Sequence, residues 1–304
     1  MINTRLIVGI LAGVALVLVL AQAADKKSQQ PQKKKSPDVL PELKAEKLKL
    51  LEEAIPTAAA AKPGKERRIL VFWRCEGFYH GDGIIWGNKA IELTGRKTGA
   101  WTTDFSDDYA VFTPEKLAAY DAVIFNNTTR LNIPPEGRKA LLDFVEGGKG
   151  IAGIHAATDN FYDWPEGAKM MGALFCGHPW SANGTWAIKI STPDHPMVKP
   201  FGGQGFKIKD ELYQYKDPYS RADRIVLLQI DLSDEATGER VKKGGRADGD
   251  YAMAWVKMQG KGRVFYNALG HNPDPFCSKA IEQFNLEGIQ FAIGDLDVPA
   301  APQK

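Results

Sequence analysis

Gly150-Ile151-Ala152-Gly153-Ile154-His155 is the stretch on which the fold turns. Five uncharged residues make a short apolar run, the signature of a strand buried on both faces of a parallel sheet, and a histidine follows without a spacer. Upstream, Tyr120-Asp121-Ala122-Val123-Ile124-Phe125 reads as another strand. Between the two, Pro134 opens a helix that buries Leu141, Leu142, Phe144 and Val145 and stops at Gly147-Gly148. Further back, Arg68-Ile69-Leu70-Val71-Phe72-Trp73 and Trp101 to Ser106 are strands, and Ile84 to Arg96 places Ile85, Ala90, Ile91 and Leu93 at helical spacing. Pro114 to Ala119 starts a short helix behind Thr113 as its N-cap. Strand and helix alternating at this spacing predict an α/β domain with right-handed crossovers and a mostly parallel sheet covered by helices on both faces.

The second half reads differently. Thr185 to Ser191, Lys207 to Tyr215, Arg224 to Ile230, Tyr251 to Met258 and Gly262 to Leu269 are strand-like, and several are amphipathic. That pattern suits antiparallel additions to one edge of the sheet. Ser278 to Ile293 closes the domain as an amphipathic helix.

Both ends of the chain differ in composition from this domain. Arg5, the apolar run Leu6 to Leu20 and Ala21-Gln22-Ala23 have the order of a signal peptide cleaved after Ala23. The run is short for a bilayer crossing, which takes about 20 apolar residues, so no stable membrane span is expected after cleavage. Without cleavage the protein stays tethered by its N-terminus; either way the prediction is export, to the periplasm or the outside. Residues 24–65 are rich in Lys, Pro and Ala and read as a disordered linker, although Pro41 to Ile55 can make a short helix with Leu43, Leu48, Leu51 and Ile55 near one face. Residues 66–297 then form one domain and residues 298–304 a disordered tail. The net charge of +2 owes much to the lysines of residues 24–65. The domain itself is close to neutral, which argues against nucleic acid as a partner.

The three cysteines, Cys75, Cys176 and Cys277, are too few and too scattered for a disulfide framework or a thiolate zinc knuckle. One bridge or none remains open. The histidines say more. In open parallel sheets ligands bind beyond the carboxyl ends of the strands. His80 follows the first strand, His155 ends Gly150-Ile154, and His271 follows Gly262-Leu269, so three strand ends bring an imidazole to one edge. Glu211, in Asp210-Glu211-Leu212-Tyr213, is the carboxylate expected to join them. His178 lies in Gly177-His178-Pro179-Trp180, where Trp180 offers a flat face to a sugar ring or packs inside. His195, between prolines, reads as structural. There is no Gly-x-Ser-x-Gly elbow, and the glycine clusters lack the strand-to-helix context of a phosphate loop.

Read together, these motifs resemble the ThuA-like (trehalose utilisation) family. The resemblance spans residues 68 to 294. It rests on Gly153-Ile154-His155-Ala156-Ala157-Thr158-Asp159, Phe161-Tyr162, Gly177-His178-Pro179-Trp180, Asp194-His195-Pro196, Asp210-Glu211-Leu212-Tyr213, Gly262-Arg263-Val264-Phe265-Tyr266 and Leu269-Gly270-His271. It implies a flavodoxin-like, class I glutamine-amidotransferase-like fold without the amidotransferase's nucleophilic cysteine, and a role in disaccharide catabolism alongside enzymes that make 3-keto sugars. Family members often carry an Arg before the first-loop histidine. Here Tyr79 stands there, which puts any contact made by that Arg in doubt.

The expected activity is therefore a lyase, isomerase or hydrolase acting on a disaccharide or 3-keto-sugar derivative. His155 or Glu211 serves as general base and a second histidine, His80 or His271, as acid. Asp159, Tyr162, His178, Trp180 and Tyr213 are the candidates to hold the carbohydrate. In a metal-assisted variant, His80, His155, His271 and Glu211 bind a zinc-like divalent ion. The competing reading is a non-catalytic carbohydrate-binding module with Trp164, Trp180, Tyr162 and Tyr213 as its platform. Oligomeric state is not legible.

Overall fold

The computed structural model describes residues 41–242 and 245–302. The leader and residues 24–40 of the expected linker lie outside the described residues, and among those described no helix is long and apolar enough to cross a membrane. In chain order the strands are β1 (Arg68–Phe72), β2 (Thr102–Ser106), β3 (Ala122–Asn126), β4 (Gly150–Ile154), β5 (Leu174–Trp180), β6 (Thr185–Ile190), β7 (Phe206–Lys209), β8 (Leu212–Lys216), β9 (Arg224–Ile230), β10 (Ala252–Gln259) and β11 (Gly262–Asn267). Nine of them form one sheet in the order β2-β1-β3-β4-β11-β10-β9-β6-β7, and β5 and β8 pair separately.

The first five strands of that order run parallel, and every pairing from β11 outward to β7 is antiparallel. This is the α/β architecture that the alternation of elements predicts, with its antiparallel extension on one side. β3 and β4 are buried at every position, as their uninterrupted apolar runs require. The helices Gly81–Thr98, Pro135–Glu146 and Lys279–Ala292 cover the sheet. Thr113 caps the short helix Pro114–Leu117 by accepting from the Lys116 N–H.

Two features depart from the sequence reading. The expected strand Lys207 to Tyr215 breaks at Asp210-Glu211: β7 stays on the edge of the large sheet and β8 leaves it to pair with β5. Strand β5 itself, carrying Gly177 and Pro179, was not expected, and its register is interrupted at both places. The pairing is irregular because Pro179 offers no N–H and Gly177 sits at φ +147°.

The linker reading fails for residues 41–65. Ala45–Ala54 is a helix whose Leu51, with Ile55, packs on Trp86, Ala90, Leu93 and Phe276. Beyond it the buried Gln290 amide accepts from the Ala60 and Ala61 N–H groups and donates to the Ala61 carbonyl. Low apolar content prevents this segment from folding alone, but a few well-placed leucines suffice when a formed domain supplies the other face. The tail also packs: Ala300 is buried and the Pro299 carbonyl sits 2.9 Å from His195 Nε2. Leu51→Ala is expected to cost about 2 kcal/mol, the low end for a buried leucine because the helix is otherwise exposed. Limited proteolysis should then cut between residues 41 and 65 before the domain; an unchanged cleavage pattern counts against this docking.

Candidate active site

The carboxyl ends of β1, β4 and β11 lie in one row of the sheet with β3 between β1 and β4. His80 ends the loop after β1 and immediately precedes the helix Gly81–Thr98. That helix can start so close to the β11 loop because residue 83 is glycine: a Cβ there would lie 2.5 Å from the Gly270 carbonyl oxygen. His155 follows β4 in the left-handed region, at φ +47°, a strained position for a non-glycine residue. His271 arrives from the β11 loop, and Glu211 comes from the break between β7 and β8.

The three imidazole rings stand at the corners of a nearly equilateral triangle, with centroids 5.0, 5.1 and 5.1 Å apart. His155 is fully buried, and its Nδ1 is 2.8 Å from the Ala268 carbonyl oxygen. A carbonyl only accepts, so Nδ1 carries the proton and Nε2 presents a lone pair to the cluster. His271 Nδ1 lies 3.3 Å from that Nε2, and Glu211 Oε2 lies 3.8 Å from His155 Nε2 and 3.6 Å from His271 Nδ1. The other oxygen, Oε1, is 3.2 Å from Nδ1 of the half-exposed His178. Tyr266 fixes the elbow from below by donating its hydroxyl to the His155 carbonyl at 2.6 Å.

Burial sets the protonation of this group. It drives His80 down to about 3, with the neighbouring His271 adding to the effect, and His271 down to about 4, with His178 second. His155 falls well below the ordinary imidazole range, through burial first and then its two histidine neighbours. Burial raises Glu211, against the attraction of His178. The imidazoles are therefore neutral near pH 7, the form in which nitrogen binds a metal.

One donor atom from each of His80, His155, Glu211 and His271 lies within 4.8 Å of the others. Nitrogens held about 2.0–2.1 Å from a tetrahedral zinc are roughly 3.4 Å apart. The His155–His271 spacing of 3.3 Å matches this, one that a shared proton or a cation can bridge. The tautomer of His155, locked by a backbone carbonyl, is also the arrangement found behind metal-binding histidines. The residues thus fit a zinc-like ion.

The candidate substrate residues divide. Tyr162 and Asp159 form one unit: the phenolic oxygen is 2.5 Å from Asp159 Oδ1, Arg130 Nε is 3.2 Å from the same carboxylate oxygen, and the Arg130 guanidinium lies over the Tyr162 ring. Tyr213 is buried between His155 and Phe175, with its hydroxyl 3.4 Å from His80 Nε2, so it backs the cluster. Trp180 is a correction. It is fully buried, donates its indole N–H to the Thr237 carbonyl and packs edge-on against Tyr251, so it offers no face to a sugar. Trp164 is likewise buried, against Phe161.

Sequence reasoning missed Phe78. Its ring is 57% exposed, 4.8 Å from the His80 ring and nearly parallel to the His271 ring at 6.3 Å. Its loop is pinned by Thr129, which donates to the Phe78 carbonyl and accepts from the Gly77 N–H. Its position two residues before His80 was the available signal. The three cysteines are free thiols, Cys75 buried and the others exposed, and none occupies the elbow held by His155.

A parallel core whose strand ends hold the site, with antiparallel additions beyond β11, is the fold of the class I glutamine-amidotransferase-like proteins. The chain belongs to the ThuA family, described as trehalose utilisation, which matches residues 68–292. Among solved structures it is similar to a ThuA-like protein of Bacteroides uniformis at 22% identity and a TM-score of 0.61, covering 77% of this chain and 94% of that one. A ThuA-like protein of Parabacteroides merdae aligns at 19% identity and a TM-score of 0.59, covering 79% and 93%. At these identities the likeness shows the fold. No curated protein matches the sequence.

Proposed function

We propose that this chain is an exported enzyme of sugar catabolism that takes a proton from the carbon beside a carbonyl of an oxidised disaccharide, with a divalent metal held by His80, His155, His271 and Glu211. The observation that carries the reading is the convergence of three buried, neutral imidazoles and one carboxylate at the carboxyl edge of the parallel strands. Bound there, a zinc-like ion supplies Lewis-acid polarisation of a carbonyl oxygen, which acidifies the neighbouring C–H.

The chain's own residues do the rest. His155 presents a lone pair fixed by its hydrogen bond to the Ala268 carbonyl, and His271 faces it at 3.3 Å. Glu211 faces the cluster with one oxygen and His178 with the other, so a proton accepted by the carboxylate has a route to a half-exposed imidazole. Asp159 and Tyr162 offer hydroxyl partners, and Phe78 gives an apolar ring on which the carbon-bound face of a pyranose can rest. Proton removal of this kind opens elimination or isomerisation. With Trp164, Trp180 and Tyr213 buried, the carbohydrate-binding-module reading keeps only Tyr162 of its four-residue platform. The family, described as trehalose utilisation, supports a sugar. The leader sequence supports export.

Purified protein should retain close to one zinc-like ion per chain after dialysis. It should consume a 3-keto form of trehalose, sucrose or lactose, with the activity lost on chelation and restored by metal. Far less than one ion per chain sinks the metal assignment, and failure to turn over any keto sugar sinks the enzymatic one.

A further inference from the structure

We infer that Asp210 is a positioning residue that sets where His271 stands, an inference that rests on the metal-binding reading above. Its carboxylate is fully buried and spans the residue in question. Oδ2 accepts the N–H of Gly270 at 2.7 Å and Oδ1 accepts the N–H of Asn272 at 2.8 Å, one amide on each side of His271. Two acceptors on one rigid carboxylate fix the rotation of that peptide segment as well as its position. The constraint matters because Gly270 sits at φ +128°, where the backbone has little intrinsic preference of its own. Asn272 tightens the same junction, with its side-chain amide donating to the carbonyls of Ala182 and Lys209.

The next residue in the chain is Glu211, whose Oε2 reaches to 3.6 Å from His271 Nδ1. One dipeptide therefore holds the loop that delivers His271 and supplies the carboxylate that meets it. This gives a reason for the break between β7 and β8. A continuous strand would commit the 210 and 211 backbone to a ladder and turn their side chains to opposite faces. The break instead lets both carboxylates serve one loop. A buried carboxylate is costly, and a hydroxyl or amide could satisfy one of the two N–H groups more cheaply; the pair of oxygens is what bracketing His271 needs.

Zinc affinity measured in a double-mutant cycle tests the assignment. Asp210→Ala should weaken zinc binding about 10–100-fold, the range for a group supporting a metal ligand. In a His271→Ala background the same change should have almost no further effect, because its action passes through His271. Equal losses in both backgrounds, or no loss in either, overturn the assignment. If Asp210→Ala does not fold, Asp210→Asn, which keeps one acceptor oxygen, is read in the same cycle. Wild-type protein that takes up no zinc defeats the metal reading instead. The role of Asp210 is then read from imidazole nitrogen shifts of the metal-free protein: a moved His271 with His155 unchanged supports it, and an unmoved His271 overturns it.

Discussion

His155→Asn is expected to abolish stoichiometric zinc binding, lowering affinity by more than about 100-fold, and to reduce keto-sugar turnover by roughly 10²–10⁴-fold. The loss should be large because His155 is the most deeply buried member of the cluster and meets each of the others. Its Nε2 faces both His271 and Glu211, and its ring is 5.0 Å from that of His80. Asparagine suits the test better than alanine. The position is at φ +47°, a region asparagine tolerates, and its amide can still donate toward the Ala268 carbonyl, which alanine would leave unpaired at a cost of about 1–3 kcal/mol. The two substitutions should therefore be alike in zinc binding but unlike in stability. Thermal unfolding gives an independent reading. Zinc in hundredfold excess over its Kd should stabilise the wild type by about 2.7 kcal/mol and leave the variant unmoved. An Asn variant that still binds zinc within a few-fold of wild type rules out His155 as a ligand.

His155 was legible because a histidine directly after a buried strand has one place to go. The same logic placed His80 and His271, since residues following parallel strands must emerge at one edge. Glu211 was found through its motif, but the reason it reaches the site was hidden. The residues from Lys207 to Tyr215 alternate well enough to pass for one strand, and only pairing partners distant in sequence decide that β7 and β8 part at Asp210-Glu211. Tertiary partners also decided the N-terminal helix, whose docking face is made by Trp86 and Phe276 rather than by its own sequence. Trp180 shows the reverse error. An aromatic beside a candidate site histidine looks functional, and regular alternation would put Trp180 on the face of His178. The register shift between Gly177 and Trp180 parts them, and the indole lies in the core, where the Thr237 carbonyl satisfies its N–H. Asp210 had no sequence signal for its role, because its partners are backbone amides, which every residue but proline possesses.

The parallel core that carries these histidines depends on the glycine that opens β4. Gly150→Ala is expected to cost more than about 4 kcal/mol, the exceptional range that severe overpacking against backbone can reach. A Cβ at position 150 would lie 2.0 Å from the Ala292 carbonyl oxygen and 2.6 Å from its carbonyl carbon. Neither partner can yield as a flexible side chain would. On one side β4 is held in the middle of the sheet between β3 and β11, with the Gly150 N–H donating to the Asp121 carbonyl. On the other, the helix Lys279–Ala292 is locked by Ile281, Phe284 and Ile289 in the core and by Gln290 on the N-terminal segment. Gly203→Ala makes the contrasting case. Nothing lies within 4 Å of its added Cβ, so only the left-handed backbone at φ +75° penalises it, by about 1–2 kcal/mol. Urea unfolding of the two variants should rank them in that order by at least 2 kcal/mol, with Gly150→Ala poorly soluble and losing zinc with its fold. Equal stabilities would mean that the helix and β4 can separate freely. In that event the elbow holding His155 would not be the rigid support that a preformed metal site requires.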